Sequence, residues 1–131
     1  MIDPKELTLR VLAEINEAGE ENVAALMNTV FDRLGDTSEI ESMQSALGIL
    51  TSAGLIRIAM VRDAQVGLLS LSVDESLAEI AKMQNCLRFR LTDRHWAFAG
   101  QIHPEVVATD LGIEKSEQIL DERGHKWWRQ A

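Results

Sequence analysis

Three observations predict an α+β fold for this chain, mostly helical. Two helical repeats, Val23-Leu26-Met27-Val30-Phe31-Leu34 and Ile40-Met43-Leu47-Leu50, are separated by Gly35-Asp36-Thr37, a turn-forming run. At Ala53-Gly54 the second repeat stops, and the apolar spacing changes from the helical period of about 3.6 to the strand period of about 2. A further helical pattern, Asp74 to Asn85, then interrupts the strand-like region. The expected order is three helices, a short antiparallel ribbon broken by a helix, and a helical C-terminal appendage.

The first helix has a clear start. Asp3 suits the cap, Pro4 the first helical position, and Glu6 stands three after the cap, where a carboxylate favours the helix N-terminus. Leu7, Val11, Leu12 and Ile15 form its apolar face and Gly19 ends it. Asn22 caps the second helix, which runs to about Leu34. Ser38 with Glu41 makes a capping box for the third. Gly48, inside that helix, costs about 1 kcal/mol relative to alanine, so it marks either a close helix crossing or a kink.

From Leu55 onward Ile56, Ile58 and Met60 point one way and Arg57, Ala59 and Val61 the other. Arg62-Asp63-Ala64-Gln65 is a polar turn, and Val66 to Val73 a second strand. Ser72 or Asp74 caps the inserted helix, with Leu77, Ile80, Ala81 and Met83 as its apolar positions. Cys86 to Thr92 is the returning strand, with Leu87, Phe89 and Leu91 inward and Arg88 and Arg90 outward. Trp96 to Gly100 is a last strand or the start of a packing helix. His103-Pro104 begins a helix with Val106, Val107 and Leu111 inward, broken by Gly112. Glu114 to Arg123 forms another, around Ile119 and Leu120 and ended by Gly124. The natural division is residues 1–100 as the main domain and 101–131 as the appendage.

The apolar fraction of 46% and charged fraction of 26% fit an ordinary globular chain, and 131 residues bury enough surface without metal or disulfide staples. With no Tyr, three Phe and three Trp, the core must rest on aliphatic side chains. A single cysteine, Cys86, excludes an internal disulfide and makes a reducing, cytoplasmic address the expectation. The N-terminus lacks the basic start and apolar run of a secretory signal. No apolar stretch approaches the roughly 20 residues that span a bilayer, so no membrane partner is expected.

Charge is uneven. The net charge is −8, and residues 1–54 carry three bases against ten acids. Residues 55–100 carry six bases against five acids. Attraction to nucleic acid depends on neutralising phosphates, so only the strand half can supply it.

The segment Ser45-Ala46-Leu47-Gly48-Ile49-Leu50-Thr51-Ser52-Ala53-Gly54-Leu55-Ile56 resembles the recognition-helix end of bacterial winged-helix regulators. Leu87-Arg88-Phe89-Arg90-Leu91-Thr92-Asp93 resembles their returning wing strand, with its closing Leu-Thr step. The layout from Asn22 to Asp93 is similar to that of PadR-like and MarR-like proteins. The resemblance implies a winged helix-turn-helix with a helical insertion in the wing, a dimer, and duplex DNA as partner. In that reading Ser42, Gln44 and Ser45 approach bases, while Arg57, Arg88 and Arg90 anchor phosphates, with Arg62 and Arg94 nearby. Two departures weigh against it. The outward face of the third helix offers Glu39, Glu41, Ser42, Gln44, Ser45 and Thr51, with no base, and the insertion lengthens or replaces the wing tip.

The rival reading is a protein-interaction module. Its contact is either the acidic helical face (Glu14, Glu17, Glu20, Glu21, Asp32, Asp36, Glu39, Glu41) or the tail, where Trp127, Trp128 and Arg129 are residue types that dominate interfaces. The tail could equally fold back over an aromatic-poor core. Cys86, Asp93, His95 and His103 hold the ingredients of a thiol nucleophile or metal site, but their spacing matches no ligand motif. The sequence therefore predicts no catalytic residues, no metal and no cofactor.

Overall fold

Each helix begins where a side chain can take up an orphan backbone N–H. In the computed structural model, which describes residues 2–16, 20–63 and 67–129 (the backbone alone at 62 and 63), Asp3 caps helix α1 (Pro4–Ile15) by accepting from the Lys5 N–H. Asn22 caps α2 (Val23–Val30) through the Ala25 N–H. Asp36, not Ser38, caps α3 (Thr37–Ser52), accepting from the Ser38 N–H, so the box expected at Ser38 and Glu41 does not form. Ser72 and Glu75 do form a reciprocal box at α4 (Val73–Ala81), which continues as a short 3₁₀ turn at Met83–Asn85. Thr109 caps α5 (Asp110–Arg123), and Gly124, at φ +83°, closes it.

Among the described residues the strands form two antiparallel sheets. Strands β1 (Glu20–Asn22), β2 (Ile56–Asp63), β3 (Gly67–Ser70) and β6 (Glu105–Ala108) make a four-stranded sheet in the order β1-β6-β2-β3. Strands β4 (Leu87–Arg90) and β5 (His95–Phe98) make a separate hairpin. The returning strand expected at Cys86–Thr92 thus pairs with β5, Phe89 opposite Trp96, and not with β2. Strand β2 pairs with β3 on one side and β6 on the other, with Ile58 opposite Val106 and Arg57 opposite Val107. Leu91 lies beyond β4 in the turn and is 80% exposed, where an inward position was expected.

Residues 101–131 are consequently no appendage. The helix expected at His103-Pro104 is instead β6, inserted between β1 and β2, so a boundary at residue 100 would divide one sheet. Gly112 lies inside the first turn of α5 and does not break it; Leu111, expected inward, is exposed. Trp96 belongs to a strand, which resolves the two alternatives for 96–100. The inserted helix is present but packs on α3 and β2 instead of tipping a wing. Its Ser76 hydroxyl, fully buried, accepts the Ile58 N–H at 3.0 Å, a group the sheet leaves unpaired. Gly19, Ala64, Gln65 and the start of the second strand at Val66 lie outside the described residues, as does the Arg62 side chain.

The core forms where α1, α2 and α3 meet the sheet: Leu7, Val11, Ile15, Leu26, Met27, Met43, Leu47, Ile56, Ile58 and Val106 are all 0–1% exposed. All ten are positions that the periodicity assigns inward. Gly54, at φ +78°, turns the chain from α3 into β2. Nothing stands within 4 Å of the place a Gly48 side chain would occupy, so that glycine makes no close crossing. No helix among the described residues is long and apolar enough to cross a membrane.

Candidate interaction surface

The second helix ends at Val30, short of Leu34, and its last carbonyls are capped from outside. Arg129 donates to Asn28 O and Thr29 O at 3.0 and 2.6 Å, Trp128 Nε1 to Thr29 O at 3.1 Å, and Arg10 to Val30 O at 3.2 Å. Two guanidinium groups at a helix C-terminus also meet the negative end of its dipole. The chain then turns through Arg33 and Gly35, at φ +56° and +82°. The Phe89 ring fills the space where a Gly35 side chain would sit, 2.6 Å from the Cβ position. A second clamp comes from α3: the buried Glu39 carboxylate accepts the Leu34 and Gly35 N–H groups at 3.3 and 2.9 Å and the Trp96 indole N–H at 3.2 Å. Asn28 makes two hydrogen bonds to the Trp96 backbone, 2.7 and 2.9 Å, which dock the hairpin on α2.

With its backbone so held, the loop projects Leu34 into solvent, 67% exposed. Leu34, Phe31 and Ile2 line a cleft of about 580 Å³ between the start of α1, this loop and the start of α3. That size lies within the ~300–1,000 Å³ of ligand sites. Among the described residues four carboxylates (Asp3, Glu6, Asp32, Glu39) line it against one guanidinium, Arg10. A second hollow of about 230 Å³ shares Ile2, Ser38 and Ser42 and adds Glu41 and Ser45. Burial pulls the Glu6 carboxyl up, but hydrogen bonds from Trp127, Arg123 and Arg10 outweigh it and hold the group below its ordinary value.

Beside the cleft stands the opposite charge. The β4–β5 hairpin carries Arg88, Arg90 and Arg94 against Asp93, with Leu91 at its tip. Arg90 pairs with Asp93 at 2.6 Å. Arg94 lies over the Phe89 ring and donates to Arg33 O at 3.2 Å, while Arg33 Nη1 meets His95 Nε2 at 3.1 Å. Arg33 and Leu34 thus form a wall common to hairpin and cleft.

The six residues assigned to DNA are divided among several regions. Ser42 and Ser45 border the hollows. Gln44 turns the other way, donating to Ile80 O and Ala81 O at 2.9 and 3.3 Å, the end of α4. Arg57 lies on the four-stranded sheet and bonds its neighbour's carbonyl, Ile56 O, at 2.7 Å, whereas Arg88 and Arg90 are on the other sheet. Glu39 and Thr51, expected outward on the third helix, are buried at 7% and 0% exposure.

Trp127, Trp128 and Arg129 fold back. The Trp127 indole donates to Glu6 at 2.9 Å, and the two rings meet edge to face at 4.8 Å. Cys86 and His95 sit at opposite ends of the hairpin, four residues apart along the strands, roughly 13 Å. Burial pushes the Cys86 thiol up, away from the thiolate a nucleophile needs. His103 stacks on Phe98 at 4.3 Å and bonds Gly100 O. Among the described residues no group of three His, Cys, Asp or Glu side chains could hold a metal ion. Of the acidic face, Glu17 lies outside the described residues; Glu20 and Glu21 border Glu105, whose carboxyl is raised by burial and by their charge. Sequence reasoning missed Leu34 and Leu91 as surface features, since each continues an apolar pattern that reads as core; Phe31, read as core, is buried and shows the cleft only an edge, and Ile2 lies before the first apolar repeat.

The chain matches no protein-family model, no curated protein and no solved structure.

Proposed function

We propose that this chain is a non-enzymatic protein-interaction module on a variant winged-helix framework. Its contact is the acidic cleft beneath the α2–α3 loop, and the segment it takes presents an apolar side chain flanked by cations. The order α1-β1-α2-α3-β2-β3 supports the winged-helix reading, with β6 as the strand that completes the sheet. The observation that carries the interaction reading is Gln44. It ties the flank of α3 to the C-terminal carbonyls of α4, so the helix that would enter a major groove is covered on that side. What α3 leaves exposed includes Glu41, Ser45 and Ile49, which offers phosphates no counter-charge. Duplex DNA remains a second reading, favoured by the exposed Arg88 and Arg90 on a two-stranded ribbon.

Calorimetric titration with peptides carrying leucine between arginines tests the first reading, with mobility shift on mixed duplex DNA beside it. Peptide binding that is lost in Leu34→Asp, without DNA binding at low salt, supports the cleft. DNA binding that falls steeply with salt and disappears in the Arg88→Ala, Arg90→Ala double variant overturns it.

A further inference from the structure

We infer that the segment this cleft takes is the β4–β5 hairpin of a second copy of the chain, with Leu91 entering between Ile2, Phe31 and Leu34. The inference rests on reading the cleft as a docking site. Leu91 has the chemistry that the cleft selects. At 80% it is the most exposed large apolar side chain among the described residues; Arg90 precedes it, Arg94 shares its turn with Asp93, and Arg88 is exposed further down the same strand. The cleft supplies the complement, apolar walls and an excess of carboxylates, of which Asp32 is exposed.

Three further features favour a copy of this chain as the occupant. Leu91 is not in its own cleft, since its exposure leaves it in solvent, while Asn28 fixes the hairpin to α2 at Trp96 and Arg94 fixes its turn to the loop. The tip is already ordered by the Phe89–Trp96 edge contact at 5.2 Å and the Arg90–Asp93 pair, so docking it costs little conformational entropy. Plug and socket share the Arg33–Leu34 wall, so two copies facing across a two-fold axis can each give a hairpin and receive one. That exchange closes as a dimer instead of growing as a filament. At net charge −8 two copies repel in most orientations, and the approach that sets hairpin against cleft brings opposite charges together.

Sedimentation velocity on the full chain, from low to high micromolar concentration, tests this. A dimer is expected, and Leu91→Asp or Asp32→Arg, both at exposed positions, each weaken it at least about tenfold, the loss that removal of one buried leucine contact entails. Mixing the two variants restores association, because the mixed pair keeps one intact hairpin-in-cleft contact. A dimer that neither variant weakens has its interface elsewhere and overturns the inference. A chain that stays monomeric yet binds the arginine-leucine peptides overturns it while leaving the docking reading intact. A chain that does neither loses both.

Discussion

The Trp96 indole donates to the Glu39 carboxylate at 3.2 Å inside the protein, joining the hairpin to the first turn of α3. The same carboxylate holds two backbone N–H groups of the loop, so one side chain fixes three chain segments. Glu39→Ala would leave three donors without their acceptor, and hydrogen bonds to charged groups contribute about 1.5–3 kcal/mol each. Because water can enter the space left, a net loss of about 2–4 kcal/mol is expected, with Glu39→Gln losing less because it keeps an acceptor oxygen. Urea unfolding measures both. A loss in Glu39→Ala below about 1 kcal/mol would show that the loop is not held this way.

The tail predicts a different outcome. Trp128 packs beneath Arg10, 5.6 Å from its ring centroid, and caps Thr29 O. Trp128→Ala should destabilise by about 2 kcal/mol, less than the 3–5 of a fully buried aromatic because the ring is only half-buried. If the indoles serve as an interface instead, the substitution should change sedimentation and leave unfolding nearly untouched. Measuring both quantities on one variant separates strap from interface.

Two carboxylates on α1 should respond to pH in opposite directions. The folded pKa of Glu6 is depressed, so its stabilisation is present above the unfolded value near ~4.3 and is lost as pH falls through the folded value. Trp127, bonded to Glu6, reports that loss as a fluorescence change in acid. Burial raises the Glu14 carboxyl, and its Oε2 is buried with no hydrogen-bond partner among the described residues. Its contribution is present below the unfolded value and lost as pH rises through the folded one, so the charged form costs stability at neutral pH. Glu14→Gln should therefore raise the melting temperature at pH 7, with the gain shrinking toward pH ~4. A variant less stable than the parent at pH 7 contradicts this.

Local signals in the sequence carried far when the physics behind them was local. Asp3, Asn22 and Ser72 cap helices because a side-chain oxygen finds an N–H two or three residues on, and those contacts need no tertiary partner. The core positions of α1 and α3 follow from periodicity for the same reason. Pairing does not. The alternation Leu87-Arg88-Phe89-Arg90 announces a strand with one wet face, and nothing in it selects β5 over β2 as its mate. In β6 three apolar residues stand in a row, Val106-Val107-Ala108, so no period of 2 shows, and Val106-Val107 beside Leu111 imitates a helix. The cleft was hidden because Leu34 continues a helical repeat whose helix ends at Val30, capped by tail residues remote in sequence. Glu39 read as surface, since burial of a carboxylate depends on a tryptophan 57 residues away.

Two glycines, both within helices, should give opposite signs on the same substitution. Alanine propagates a helix about 1 kcal/mol better than glycine, and at Gly48 nothing stands in the way. Gly48→Ala should accordingly stabilise by up to about 1 kcal/mol. At Gly112 the identical change places a Cβ 2.0 Å from the Leu55 carbonyl oxygen, a backbone atom. That oxygen cannot withdraw freely, because it accepts the Thr109 N–H at 3.0 Å and lies beside the Thr109 hydroxyl that caps α5. To accommodate the methyl group, α5 must shift off the start of β2 and strain the α5 cap. The overpacking cost of about 1–3 kcal/mol or more exceeds the gain in propensity, and Gly112→Ala should destabilise by at least about 1 kcal/mol. Thermal or urea unfolding of the two variants side by side checks the pair. Stabilisation by both would mean that α5 does not dock on Leu55, and with it would go the placement of β6 against β2.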